Sequence, residues 1–334
     1  MCFGLAETGG SEGKASRNGV TVHHGGHFPL SVCLHGTWAD ELDIAAVRQA
    51  VTVHKAVRIR NTGIREPQEF SVLAVAVLGE LGPDLGEHPR ATSDGAGVFA
   101  PVEFDRDQKL LWHNENSFDL KPPWAIAFCC LTPAEQGGAT PIVLGSAVFD
   151  DLPGPVVERF MRDGVRYVRR FHPGIGRPWS SIFGTDDRDE LAAICHGRGM
   201  DLEWRDGVLQ TSAVRPAAHF DRSRSVWSWV NQAQHWHPRC LPAAVRDSMR
   251  AVFGAMPPRG CTFGDGEPIP DATMDRVLEA YARHEWADEW AAGDVLILDN
   301  LNAAHARNPY SGDRRLLVVL GGPTPIVTSA EADA

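Results

Sequence analysis

His113 and Glu115 stand one residue apart in the run LWHNENSFDLKPPWAIAFCCLTPAEQGGAT, residues 111–140. On an extended strand, residues two apart project to one face. The spacing therefore sets an imidazole beside a carboxylate and turns Asn114 away. Two such groups are too few to hold a metal, so a third must come from elsewhere. His305, in GDVLILDNLNAAHARNPYSGDRR just past an apolar strand-like run, is the candidate. A histidine so far downstream meets the pair only if the chain folds back on itself. A double-stranded β-helix, or jelly roll, achieves this, because antiparallel strands from distant parts of the sequence meet inside one barrel.

Two imidazoles and one carboxylate are the facial set that holds non-haem Fe(II) and leaves positions open for oxygen chemistry. The same three residues could hold Zn(II), with an open position for a hydrolytic water. A non-catalytic jelly-roll binding module of the cupin type is the remaining class. His235 and His237 also stand two apart, but Pro238 breaks their element, and a pocket-rim or structural role is expected. His172 and His196 lie in polar contexts that do not suggest ligation.

Taken in order, HNENSF, FCCLTPAEQGGATPI and GDVLILDNLNAAHAR resemble the TauD/TfdA branch of Fe(II)/2-oxoglutarate dioxygenases, over residues 55–322 with gaps. SyrP-like and clavaminate-synthase-like members are the nearest flavour. A lone HxE is a weak signal, whereas the ordered set HxE, GGxT, DNxxxxH and a following arginine is specific. The resemblance implies an α+β, mainly β, fold: a jelly-roll core flanked by helices. It implies Fe(II) on His113, Glu115 and His305, with 2-oxoglutarate and O2 as cosubstrates. Thr140 matches the threonine that hydrogen-bonds 2-oxoglutarate, although Ala139 stands where the family often has an acidic residue.

A guanidinium pairs bidentately with a carboxylate, and the family's GxR pattern puts that clamp on Arg314. Arg315 is the alternative; adjacent strand residues face opposite ways, so only one can reach the cosubstrate. A hydrolase would need neither Thr140 nor Arg314. Asn116 and Arg307 are the candidate substrate contacts. Related halogenases lack the carboxylate that Glu115 supplies, which favours hydroxylation. Val318 and Val319 occupy the neighbourhood where some relatives carry a further substrate arginine, which speaks against a sulfonate held in that way. The implied reaction oxidises, most directly hydroxylates, an unactivated C–H bond of an amino acid or amino-acid-derived natural-product intermediate, free or carrier-tethered. 2-Oxoglutarate is decarboxylated to succinate. Desaturation, cyclisation and epoxidation are open to the same cofactor set.

A formal net charge of −11 argues against a nucleic-acid partner, which wants a basic footprint. Seven scattered cysteines without a CxxC read as reduced thiols. There is no signal-peptide pattern and no apolar run of membrane-spanning length, so a cytoplasmic protein with no membrane contact is expected. Residues 1–25, polar and glycine-rich, are expected to be a mobile segment, 26–325 a single domain and 326–334 a tail. Residues 38–62 read as a helix and then a strand, with Arg58 and Arg60 on the solvated face of an edge strand. PQEFSVLAVAVLGELG reads as a buried helix opened by Pro67. Residues 83–98 read as a loop and candidate lid. Asp265, in CTFGDGEPIP, is expected to cap local structure.

Overall fold

The computed structural model describes residues 13–17, 20–24, 30–83 and 97–329. Its largest sheet has seven strands in the order Gly13–Arg17, Val20–His24, Leu30–Leu34, Ala56–Arg60, Val295–Asp299, Ala125–Thr132 and Arg315–Leu320. Neighbours run antiparallel except Leu30–Leu34 with Ala56–Arg60. The last three strands have apolar side chains on both faces, and period two sorts them. Ala127, Cys129, Val295, Ile297, Leu317 and Val319 pack against the helices Ile44–His54 and Pro67–Leu78. Phe128, Cys130, Leu296, Leu298, Leu316 and Val318 point the other way, toward Ile142 and Ala303.

Those two residues belong to a three-stranded antiparallel sheet, Leu110–His113, Ala303–Arg307 and Ile142–Leu144. It closes the jelly roll over the inner face of the large sheet. A four-stranded antiparallel sheet, Asp201–Arg205, Val208–Arg215, Val165–Phe171 and Arg259–Phe263, extends the body on one side.

Local chemistry sets the helix ends. Asp43 accepts from the Ala46 N–H and opens Ile44–His54, so the expected helix is divided into this one and a one-turn helix, Trp38–Glu41. Pro67 sits in the first turn of Pro67–Leu78, where a reciprocal capping box joins Glu66 and Glu69.

The expectation for Ala56–Arg60 is corrected. This strand is interior, not an edge, and Arg58 is only 1% exposed. Its guanidinium bonds to Asp294 at 2.9 Å and to the Asp288 carbonyl at 3.2 Å, while Arg60 reaches the same Asp294 at 3.1 Å. A buried cation held by a carboxylate and carbonyls is tolerated where an unpaired one would not be. Alternation alone could not distinguish this from a wet charged face.

Of residues 1–25, two strands pair antiparallel at the sheet edge; the remainder, and residues 84–96 of the segment expected to be a loop and lid, lie outside the described residues. The C-terminal segment is pinned by Val327, which donates to His219 Nδ1 at 3.0 Å and accepts from Phe220 N at 2.8 Å. Among the described residues, no helix is long and apolar enough to cross a membrane. The described cysteines are unpaired; burial raises the Cys129 and Cys261 thiols and pushes Cys130 up to about 12, so they remain protonated.

Candidate active site

The antiparallel pairing of Ala303–Arg307 with Leu110–His113 sets His305 directly opposite His113. Their rings lie 4.3 Å apart, centroid to centroid. Glu115 is not on the strand; it lies in the turn after it, and its Oε2 is 3.8 Å from Nε2 of each histidine. Strand alternation is thus the wrong reason for the pair's convergence. One ligand atom from each of His113, Glu115 and His305 falls within 4.8 Å of the others.

This donor set fits a divalent metal. His113 Nδ1 lies 2.9 Å from the Leu111 carbonyl. A carbonyl only accepts, so Nδ1 carries the proton and the lone pair is on Nε2, on the side of Glu115. The same carbonyl accepts from His235 Nε2 at 2.9 Å. Burial, with His113 close by, pushes the His235 pKa down to about 3, so its ring is neutral and packs 4.7 Å from His113. Phe128 meets the His305 ring edge-on at 5.2 Å.

The three residues open into a cavity of about 790 Å³. Thr140 and Arg314 line it. Gly137 and Gly138, at φ 70° and 73°, carry the chain into Thr140. A Cβ on Gly138 would sit 3.0 Å from Arg314 Cδ and Nε, and the Gly138 carbonyl accepts from that Nε at 3.0 Å. The double glycine is therefore the passage through which Arg314 reaches the cavity. Burial lowers the Arg314 pKa to about 10, which still leaves it charged at neutral pH.

Arg315 is corrected as an alternative: it is exposed, opposite Thr132 at the start of its strand, and is not part of the cavity wall. Asn116 is buried at φ 52° and lines the cavity. Arg307 also lines it, but its guanidinium donates to the carbonyls of Phe104, Asp105 and Gln108. That geometry gives it a loop to hold at the edge of the cavity. His237 is buried, with Nε2 on the Ile269 carbonyl at 2.8 Å, and Asp265 caps Glu267 N at 3.0 Å.

Sequence reasoning passed over two side chains. Trp290 donates to Thr140, and Asn300, which entered the sequence reading only as part of DNxxxxH, bonds to the main chain of Glu115. Trp290 has no local signal and DNxxxxH does not say what Asn300 holds, since both act across long sequence separations.

A family model described as taurine catabolism dioxygenase TauD, TfdA family, matches residues 33–320. The chain belongs to this family. Dapdiamide synthesis protein DdaC of Enterobacter agglomerans is 33% identical over 281 residues, covering 83% of this chain and 84% of that protein. A clavaminate synthase-like protein of Arabidopsis thaliana is 29% identical over 282 residues, covering 79% and 81%. Among solved structures, PvcB from Pseudomonas aeruginosa superposes with a TM-score of 0.55 at 14% identity, over 95% of this chain and 98% of that one. A taurine dioxygenase from Burkholderia xenovorans gives 0.52 at 20% identity, over 92% of each chain. The jelly-roll expectation holds. The chain is an Fe(II)- and 2-oxoglutarate-dependent dioxygenase that consumes O2, which leaves the zinc-hydrolase and binding-module alternatives without support.

Proposed function

We propose that this dioxygenase hydroxylates an unactivated C–H bond of an amino acid or an amino-acid-derived natural-product intermediate, free or carrier-tethered, in the cytoplasm. The observation that carries the reading is the convergence of His113, Glu115 and His305 on a cavity that Thr140 and Arg314 also line. DdaC is named for dapdiamide synthesis, and an asparagine oxygenase of similar fold, at 16% identity and a TM-score of 0.51, was solved with Fe(II), 3-hydroxyasparagine and succinate. Both support an amino-acid substrate.

In this reading His113, Glu115 and His305 hold Fe(II), which, with 2-oxoglutarate and O2, supplies the oxidising power for the C–H bond. The protein's own part is to bind, orient and exclude water. Leu111 fixes the tautomer of His113. Arg314 and Thr140 take the far carboxylate of 2-oxoglutarate, the guanidinium by paired hydrogen bonds. Phe118, Phe128, Trp236 and Leu316 form apolar wall that keeps water from the oxidised carbon. Asn116 offers a polar contact to the substrate. Arg246 and Arg250, one turn apart on the Ala243–Phe253 helix, line the same cavity and suit an acidic group on the substrate.

The test is anaerobic binding of Fe(II) and 2-oxoglutarate, read by their charge-transfer absorption, followed by a search of amino-acid derivatives for gain of one oxygen atom with succinate. The band should be lost in His113→Ala, weakened in Arg314→Ala and kept in Arg315→Ala. An iron-loaded wild type with no band would overturn the proposal.

A further inference from the structure

Glu115 stands where no strand ladder holds it. The residue after it has φ 52°, and the turn continues through Phe118. What holds the segment is Asn300, fully buried and 185 positions away in sequence. Its Oδ1 accepts from Glu115 N at 2.6 Å, and its Nδ2 donates to Glu115 O at 2.9 Å and to Pro123 O at 2.9 Å. Its own carbonyl accepts from Asn114 Nδ2 at 2.7 Å, and its N–H donates to Trp124 O at 2.9 Å. The side-chain amide thus closes a ring with both main-chain groups of Glu115, as a neighbouring strand would. Two bonds to one residue fix its rotation as well as its place, and so fix the direction in which the side chain leaves the backbone.

The turn that carries Asn300 is itself anchored. Asp299 Oδ2 accepts from Asn302 Nδ2 at 2.9 Å and from the buried Lys55 Nζ at 3.3 Å, and Lys55 also pairs with Asp221 at 2.9 Å. Asn302 Oδ1 accepts from Ser228 Oγ at 2.8 Å. His305 follows a few residues later on the strand Ala303–Arg307. One anchored turn therefore positions two of the three candidate ligands, His305 through the chain and Glu115 through the amide.

We infer that Asn300 is a positioning residue that aims the Glu115 carboxylate at the two imidazoles and thereby sets metal affinity. The inference rests on the reading of His113, Glu115 and His305 as ligands. Asn300→Asp keeps an acceptor for Glu115 N but sets a carboxylate oxygen against two carbonyls. Asn300→Ala leaves the buried N–H and C=O of Glu115 without their partner.

The experiment titrates Mn(II) into the metal-free protein and follows free Mn(II) by electron paramagnetic resonance. Wild type should bind one ion per chain. Asn300→Ala and Asn300→Asp should weaken binding by about 10- to 100-fold, the usual effect of losing a group that orients a ligand. Phe160→Leu, in the aromatic cluster with Trp229 and Phe263, should lower the melting temperature and leave the metal Kd unchanged, which separates positioning from general destabilisation. In a Glu115→Ala background, Asn300→Ala should weaken binding no further. Asn300→Ser, a smaller polar replacement, takes the place of any variant that does not fold. Tight wild-type binding with Asn300 variants within about twofold of it would overturn this inference alone. A wild type that binds no Mn(II) would overturn the ligand reading and the inference together.

Discussion

Trp290 donates its indole N–H to the hydroxyl oxygen of Thr140 at 3.1 Å, with both side chains buried. A hydroxyl that accepts in this way still has its own proton to give, and Thr140 lines the cavity into which that proton can point. The indole is held in turn by Arg58, whose guanidinium lies 4.9 Å from the ring centroid and is fixed by Asp294. The arginine expected on a solvated edge therefore sits behind the cavity wall.

Trp290→Phe keeps most of the ring and removes the donor. The Thr140 hydroxyl is then no longer oriented, and KM for 2-oxoglutarate should rise about five- to tenfold, the worth of roughly one hydrogen bond. The value of kcat at saturating 2-oxoglutarate should change by less than about twofold, since the bond acts on binding. Steady-state kinetics with 2-oxoglutarate varied checks this, and an unchanged KM refutes it.

Arg307 gives a second outcome. Its guanidinium gathers the carbonyls of Phe104, Asp105 and Gln108, and its charge lies over the Phe104 and Tyr310 rings at 5.5 and 5.1 Å. Arg307→Lys lacks the planar fork needed to hold three carbonyls. Hydrogen exchange across residues 103–109 should speed up by about tenfold or more. Unchanged exchange together with lost substrate affinity would return Arg307 to direct substrate contact.

His219 predicts a pH dependence. Burial lowers its pKa from 6.5 to about 4, against a smaller opposing pull from Asp221. The unfolded chain therefore binds a proton there at a higher pH than the folded one, and folding stability falls with acid. The contribution is fully present above the unfolded pKa and is lost as pH drops through 6.5 toward 4. Between pH 7 and 5 this site should cost about 2 kcal/mol. Urea unfolding of the metal-free protein at the two pH values measures it. His219→Gln should remove that increment from the pH difference, and an equal pH difference in wild type and variant would discount the site.

How much of this was legible in advance differs by residue. HxE and GGxT could be picked out by their short spacings, and the resemblance to the family added His305 and Arg314; the structure brings His113, Glu115, His305, Thr140 and Arg314 to one cavity. Choosing Arg314 over Arg315 needed the strand's facing, and that came only when Arg315 paired at the sheet rim opposite Thr132. The alternation in Ala56–Arg60 was read correctly as a strand and wrongly as an edge, because period two reports which residues share a face and not what covers it.

By itself the sequence determined most element types, the helix start at Pro67 and the residue types able to hold a metal. Those depend on local spacing, caps and ligand chemistry. The tertiary structure alone decided that Glu115 reaches the histidines from a turn, that Arg307 holds a loop, and that Arg58, Trp290 and Asn300 stand behind the site. Each of these relations joins residues distant along the chain, where sheet register and burial, not sequence spacing, determine which polar groups meet.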